Sequence, residues 1–320
     1  MRRALGWTIR LALTALVTWF LLRALRVSAG DLASLEWSRW TPRVWPLVAS
    51  IVVLLATFLY LVALWARLVR RLDGGTLGFG SAVRVFFLSL LARYVPGKVW
   101  QIAGLAYLAG REGIPPGPAA FSAVVAQAFS LGAAAVAGGL YLALGPLPSQ
   151  GGALLALAVA LGVLFLLAWP RLYRVVLARL GRAPDPTALQ VGPGGLSFSC
   201  RWLALNLVAW AGYGLAFCLL WAAFRPLAPS EVGLAATAFP AAYLLGYVAF
   251  FAPAGLGVRE GALAALTAPV LGAADATALA VIARVWMTST ELLPLAWVGW
   301  SAARGRRHGP EPAGRPGGSV

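Results

Sequence analysis

The sequence predicts an all-α polytopic membrane protein, with about six spanning helices and two broken, re-entrant helical hairpins arranged as an inverted repeat. Three observations point there. Of 320 residues, 61% are hydrophobic and 11% charged, and the mean hydropathy is +0.82. A soluble domain carries about 25% charged residues, so most of this surface must face lipid. Several apolar runs reach the roughly 20 residues a spanning helix needs, and they are continuous, whereas a lipid-facing barrel would alternate about every second residue. Finally, two further apolar regions are each interrupted midway by proline and glycine.

The first predicted span is 7–27, after Met1-Arg2-Arg3. No small-residue cleavage site follows it cleanly, so it reads as a span rather than a removable signal. Arg10 and Arg23 near its ends can snorkel to the two interfaces. Span 45–67 comes next. Region 78–112 is broken at "RYVPGKVW" (93–100), where Pro96 and Gly97 divide it into two short helices. Spans 118–146 and 151–170 follow. The stretch "RLYRVVLARLGRAPDP" (171–186) reads equally as a basic amphipathic helix on the inner surface or as a plain linker. Span 202–224 leads into the second broken region, 232–272, interrupted at "APAGLGVRE" (252–260) by Pro253, Gly255 and Gly257. The last span is 275–303. Residues 1–307 are expected to form one membrane domain and 308–320 a disordered cytoplasmic tail. Irregular backbone at membrane depth is tolerated only under cover of protein or a watery cavity, so both breaks belong inside the bundle.

The net charge of +16 does not point to nucleic acid. Of the 26 basic residues only Lys98 is not arginine, and they gather at the ends of apolar runs rather than on one soluble module. Membrane insertion and anionic inner-leaflet lipids select that placement. Thirteen arginines fall on one alternate set of loops, among them Arg67, Arg70, Arg71, Arg171 and Arg304. The other set holds Arg26, Arg39, Arg43 and Arg225, diluted by Asp31, Glu36, Glu231 and Asp275. The positive-inside rule then puts both termini in the cytoplasm of a multi-pass protein of the cytoplasmic (inner) membrane.

Sliding the sequence by 157 positions lays 45–67 on 202–224, the first broken region on the second, and 118–146 on 275–303. Repeat 1 is thus about 45–146 and repeat 2 about 202–303. Pro96 meets Pro253, Gly104 meets Gly261 and Gln127 meets Arg284. Three spans separate equivalent points, so the second unit is inverted. Inverted repeats with broken helices in matching positions point to a transporter whose site lies near the bilayer midplane.

Charged residues inside the apolar regions are the binding candidates. The first broken region carries Arg93 and Lys98, with Arg111 and Glu112 at its end; the second carries Arg259 and Glu260; the last span carries Arg284 and Glu291 on one helical face. An arginine near the bilayer centre costs at least about 2.5 kcal/mol, so Arg284 must face the interior and find a partner. Two roles fit these charges. They form internal ion pairs that lock the hairpins to the bundle, or they bind an anionic lipid headgroup with the glutamates tuning the site. The breaks favour the second, because a half-helix starting at either one points its positive end into the membrane interior and suits phosphate.

Other chemistry has little support. His308 is the only histidine, and there is no Walker loop, HExxH or Ser-His-Asp set. No metal, cofactor or enzymatic reaction is expected. Cys200 and Cys218 read as small packing residues rather than a disulfide. The tryptophans, Trp37, Trp40, Trp45, Trp202 and Trp300 among them, read mainly as interface markers. "LGAAAVAGG" (131–139) offers a small face for close helix packing.

"PAGLGVREGALAAL" (253–266), followed by "GAADATALAVIARVW" (272–286), resembles the C-terminal signature of the lysylphosphatidylglycerol synthase transmembrane, or flippase-like, family. "RYVPGKVWQIAGLAYLAGREG" (93–113) is its looser first-half counterpart, and the resemblance runs from about 7 to 303. That family includes the membrane part of the multiple peptide resistance factor, which moves aminoacylated phosphatidylglycerol between leaflets, and stand-alone proteins, some linked to export of glycosylated polyprenyl phosphates. The resemblance implies a lipid flippase or scramblase without a catalytic reaction. Its breaks and charged positions fall on Pro96, Gly97, Pro253, Gly255, Gly257, Arg259, Glu260 and Arg284. Two departures stand out. No aminoacyl-transferase domain is expected after residue 307, and Gln127 stands where relatives often carry an acidic-basic pair.

The function expected is translocation of an anionic or aminoacylated phospholipid, or of a polyprenyl-phosphate-linked lipid. Its headgroup would sit among Arg93, Lys98, Arg259, Glu260, Arg284 and Glu291. The alternative is a non-transporting scaffold or accessory subunit of a lipid or glycan synthesis complex. Membrane lipids are the partners implied, with a second copy of the chain or a partner synthase left open.

Overall fold

A computed structural model of the chain describes residues 40–73, 75–94, 99–145, 150–169, 195–249 and 255–307. The expected span 7–27, the basic stretch 171–186, the tail 308–320, and Pro96, Gly97, Lys98 and Pro253 lie outside these residues. All regular structure among the described residues is helical, as the unbroken apolar runs require.

Helix α1 is Val44–Asp73, with Arg70 and Arg71 in its last turn, where the negative helix end favours cations. Helix α2, Phe79–Leu90, continues into a 3-10 turn, Leu91–Tyr94, and α3 is Val99–Gly110. Helix α4, Pro116–Gly139, begins with proline in its first turn, where no backbone donor is lost, and α5, Tyr141–Leu144, prolongs it. Then come α6, Gln150–Leu167, and α7, Leu196–Phe224. The second broken region forms α8, Val232–Val248, and α9, Val258–Leu271, and the chain ends in α10, Ala273–Arg307.

Five described stretches are long and apolar enough to cross a membrane: Val44–Leu72, Pro116–Leu144, Leu196–Phe224, Pro229–Val248 and Ala273–Trp297. Two differ from the sequence reading. The expected span 151–170 is a shorter apolar helix, Gly151–Leu167, about 25 Å long against a hydrocarbon core of about 30 Å. Conversely, the first arm of the second broken region is long enough to cross by itself. A 3-10 turn, Pro229–Glu231, extends it, held by the Ala228 N–H donating to Glu231 Oε2 at 3.0 Å. Pro240 lies inside α8 without ending it. It leaves the Ala236 carbonyl without its usual donor, and that carbonyl packs on Gly214 of α7 so closely that a Cβ there would lie 2.7 Å from its oxygen.

Helix α1 packs along α7, and α4 packs against both. Eight of the remaining contacts fall into four corresponding pairs: α1–α2 with α7–α8, α2–α3 with α8–α9, α3–α4 with α9–α10, and α4–α8 with α2–α10; α6, packed mainly on α4, stands outside this pairing. The core between these helices is aromatic, with Phe58 edge-on to Phe87 and Tyr213, and Phe239 between Tyr213 and Trp286. The tryptophans do not all mark interfaces. Trp45 is exposed at the start of α1, but Trp65, Trp202, Trp210, Trp221 and Trp286 are buried. Trp202 in particular faces inward, packed on Phe198. Cys200 is exposed and Cys218 buried, and both are free thiols.

Candidate functional site

The second break positions the charged residues. Helix α9 has 14 residues, about 21 Å, too short to cross a core of about 30 Å alone. It packs on both α8 and α10, so it folds back along the end of α8 as the returning arm of a hairpin. Gly255 and Gly257 take φ values of +68° and +78°, which L side chains rarely adopt. Gly255 also lies against Gly246 of α8, where a Cβ would come 2.8 Å from the Gly246 oxygen. A Cβ on Gly246 would in turn meet Arg259 Cβ at 2.7 Å. The glycines thus let the start of α9 sit directly on α8, carrying Arg259 and Glu260 into the bundle.

Glu260 is 2% exposed and does three things. Its Oε2 accepts the Gly257 N–H at 2.7 Å, capping α9. Its Oε1 lies 3.5 Å from Arg259 Nε and 3.5 Å from Arg284 Nη1. One carboxylate therefore serves two guanidiniums, and the α9 terminus already has an acid on one of its free donors. Arg284 is eleven residues into α10, about 16 Å along a candidate span of about 37 Å. It has the buried partner that its depth demands.

Arg259 is more weakly held. Its side chain is 8% exposed; Nη1 donates to Met287 Sδ at 3.0 Å, and the guanidinium lies 5.8 Å from the centre of the Phe239 ring. A thioether is a weak acceptor. Among the described residues, the guanidinium's other polar partner is the Glu260 Oε1 oxygen at 3.5 Å. Met287 stands on the face of α10 that carries Arg284 and Glu291, and Glu291 is also buried.

Met287 is the hinge between this cluster and a cavity of about 120 Å³ enclosed mainly by α1, α3, α4 and α7. Aromatic side chains, including Trp65, Trp202, Trp210 and Tyr243, form much of its wall. Its polar lining is Gln101, Gln127, Ser130 and Asn206, with the Tyr213 ring nearby. Among the described residues, no charged side chain lines it. The indole N–H groups of Trp65 and Trp210 are engaged, donating to Ser122 Oγ and to the Ser130 carbonyl. Asn206 Nδ2 donates to the Trp202 carbonyl.

Of the residues singled out from sequence, the structure brings Arg259, Glu260 and Arg284 into contact and buries Glu291 near them. Arg93 falls in the 3-10 turn Leu91–Tyr94, and Lys98 lies outside the described residues. Arg111 and Glu112 stand apart: Glu112 pairs with Arg84 at 3.0 Å on the α2–α3 side. Sequence reasoning missed Met287 and the polar cavity lining. Only Gln127 carried a signal, as the counterpart of Arg284 in the repeat.

The sequence model of the family described as "Lysylphosphatidylglycerol synthase TM region" matches residues 7–292, and the chain belongs to that family. No curated protein and no solved structure matches it.

Proposed function

We propose that this member of the lysylphosphatidylglycerol synthase TM family is a lipid translocase of the flippase or scramblase type, not an enzyme. An anionic phospholipid or polyprenyl-phosphate lipid enters from the side, its phosphate binds Arg259, and its tails stay in the bilayer. The observation that carries this is the state of Arg259. A guanidinium offers five N–H donors in a fork that matches phosphate oxygens. Here that fork is buried with a sulfur and a distant carboxylate oxygen as its polar neighbours. Burying a charge with weak partners is unfavourable, and a phosphate supplies strong, two-point acceptors. Arg284 retains Glu260 while Arg259 turns to the lipid. Family membership and the long apolar helices support a membrane lipid as the ligand.

Movement follows from two halves. The four pairs of corresponding helix contacts support an inverted repeat whose halves rock about a site between them. The arginine bias of alternate loops supports cytoplasmic termini in a cytoplasmic membrane.

One observation favours a second role. Glu260 satisfies its own helix terminus and touches both arginines, so the cluster is partly self-sufficient, as a non-transporting scaffold would have it. Reconstitution into liposomes separates the two. Fluorescent phosphatidylglycerol, lysyl-phosphatidylglycerol and a polyprenyl phosphate are followed by dithionite quenching. A translocase speeds leaflet exchange of at least one of them over protein-free vesicles; folded protein that speeds none, with and without an ion gradient, is the scaffold.

A further inference from the structure

The cavity beyond Met287 names the kind of headgroup, given the translocase role above. We infer that it receives the uncharged, hydroxyl-bearing part of the lipid headgroup, glycerol or sugar, while the phosphate rests on Arg259. Gln101 and Gln127 both line the cavity, and neither amide has a hydrogen-bond partner among the described residues. The Asn206 oxygen and the Ser130 hydroxyl are likewise uncommitted there. Each amide presents a donor pair and an acceptor, and a hydroxyl both donates and accepts, so these groups suit vicinal hydroxyls. Gln101, Gln127 and Ser130 are half-buried, so their polar groups can reach a ligand in the cavity.

Charge argues against a cationic aminoacyl headgroup. The ring faces of Trp65, Trp202 and Trp210 would attract an ammonium, but among the described residues no carboxylate lines the cavity. A cation there would shed its water without gaining a counter-charge, with Arg259 just behind Met287. The same ring faces pack well against the C–H faces of a polyol. The cavity of about 120 Å³, with amides and a hydroxyl in its wall, suits a small polar group rather than an acyl chain. The two repeats then divide the work. The first half supplies most of the amide and hydroxyl lining, Gln101, Gln127 and Ser130, with Asn206 from the second half, which also supplies Arg259 for the phosphate.

The test measures binding to the purified full chain in detergent, using short-chain lipids of equal phosphate charge. Dihexanoyl phosphatidylglycerol is compared with dihexanoyl phosphatidylethanol, which lacks the hydroxyls, and with the lysyl ester of the former. A short prenyl phosphate is compared as its methyl and hexosyl diesters. Wild-type protein should bind a hydroxylated member about tenfold tighter than its hydroxyl-free partner, the value of one or two extra hydrogen bonds, and lysyl-phosphatidylglycerol less tightly than phosphatidylglycerol. Whichever pair shows the larger gap identifies glycerol or sugar as the source. Gln127→Leu and Gln101→Leu should remove the preference while leaving phosphatidylethanol affinity intact, which also reports that they fold. Equal binding within both pairs, tighter binding of the lysyl ester, or a preference that survives both substitutions overturns the headgroup assignment and leaves the phosphate site standing. No binding of any of these lipids overturns the phosphate site and this inference together.

Discussion

Arg259 and Met287 meet in the interior of the bundle, the guanidinium Nη1 donating to the thioether sulfur at 3.0 Å, and Met287 also lines the polar cavity. A buried cation is thus separated from the amides of Gln101 and Gln127 by one flexible, weakly accepting side chain. Methionine suits that place because it fills irregular space and moves easily.

Met287→Leu keeps the volume and removes the sulfur. Volume-conserving swaps cost less than about 1.5 kcal/mol, so the variant should melt within a few degrees of wild type in detergent. Its lipid exchange should persist, because the sulfur only occupies Arg259 between substrates. Loss of exchange at unchanged stability would make the thioether part of the binding site instead.

Glu260→Gln should be the most destabilising single change in the cluster. The amide can still accept the Gly257 N–H, but two arginines lose their shared counter-charge. Removing one partner of a buried ion pair costs about 3–5 kcal/mol. Thermal unfolding of the purified variant reads this directly, and a shift no larger than that of an exposed pair, about 0–1 kcal/mol, would mean the carboxylate is not holding the arginines.

Two glycines on the same hairpin should behave oppositely. A Cβ on Gly246 would come 2.7 Å from Arg259 Cβ and 3.2 Å from its Cα, whereas one on Gly261 meets nothing within 4 Å. Gly246→Ala should therefore destabilise by about 1–3 kcal/mol through overpacking. Gly261→Ala, inside a helix, should be neutral or stabilise by up to about 1 kcal/mol. Equal effects would mean that α9 does not lie on α8 as described.

The native thiols report orientation without engineering. Cys200, near the start of α7, is exposed and Cys218 is buried. A membrane-impermeant maleimide should label Cys200 only from the cytoplasmic side and leave Cys218 unmodified until the protein is unfolded. Labelling of Cys200 from the opposite side would reverse the topology proposed from the arginine bias.

Much of this organisation is legible in the sequence, because hydropathy and breaks are local signals. The runs that became α1, α4, α7 and α10 announce themselves by length, and Pro253, Gly255 and Gly257 announce the second break. The isolated charge of Arg284 in an apolar helix requires a buried partner, and Glu260 is that partner. What stays hidden is non-local. The cavity joins Trp65, Gln101, Gln127 and Trp202, which no periodicity connects. Trp202 lies near the start of a span, where hydropathy alone cannot separate an interface ring from a cavity wall. Met287 reads as one more apolar residue until Arg259 is placed against it. The extra turn before α8 depends on a side-chain cap at Glu231 that lies outside the apolar run.

Arg259→Ala decides whether the buried guanidinium is what takes the lipid phosphate. Glu260 keeps Arg284 and its own N-cap in that variant, so the protein should still fold. Leaflet exchange is compared with wild type at equal amounts of folded, reconstituted protein, with Arg84→Ala, which alters an exposed pair, as the control. Exchange should fall at least about tenfold, the loss expected when a charge-assisted, two-point hydrogen bond worth about 1.5–3 kcal/mol is removed, while the control stays near wild type. Exchange at the wild-type rate in folded Arg259→Ala protein would show that lipid phosphate does not depend on this residue.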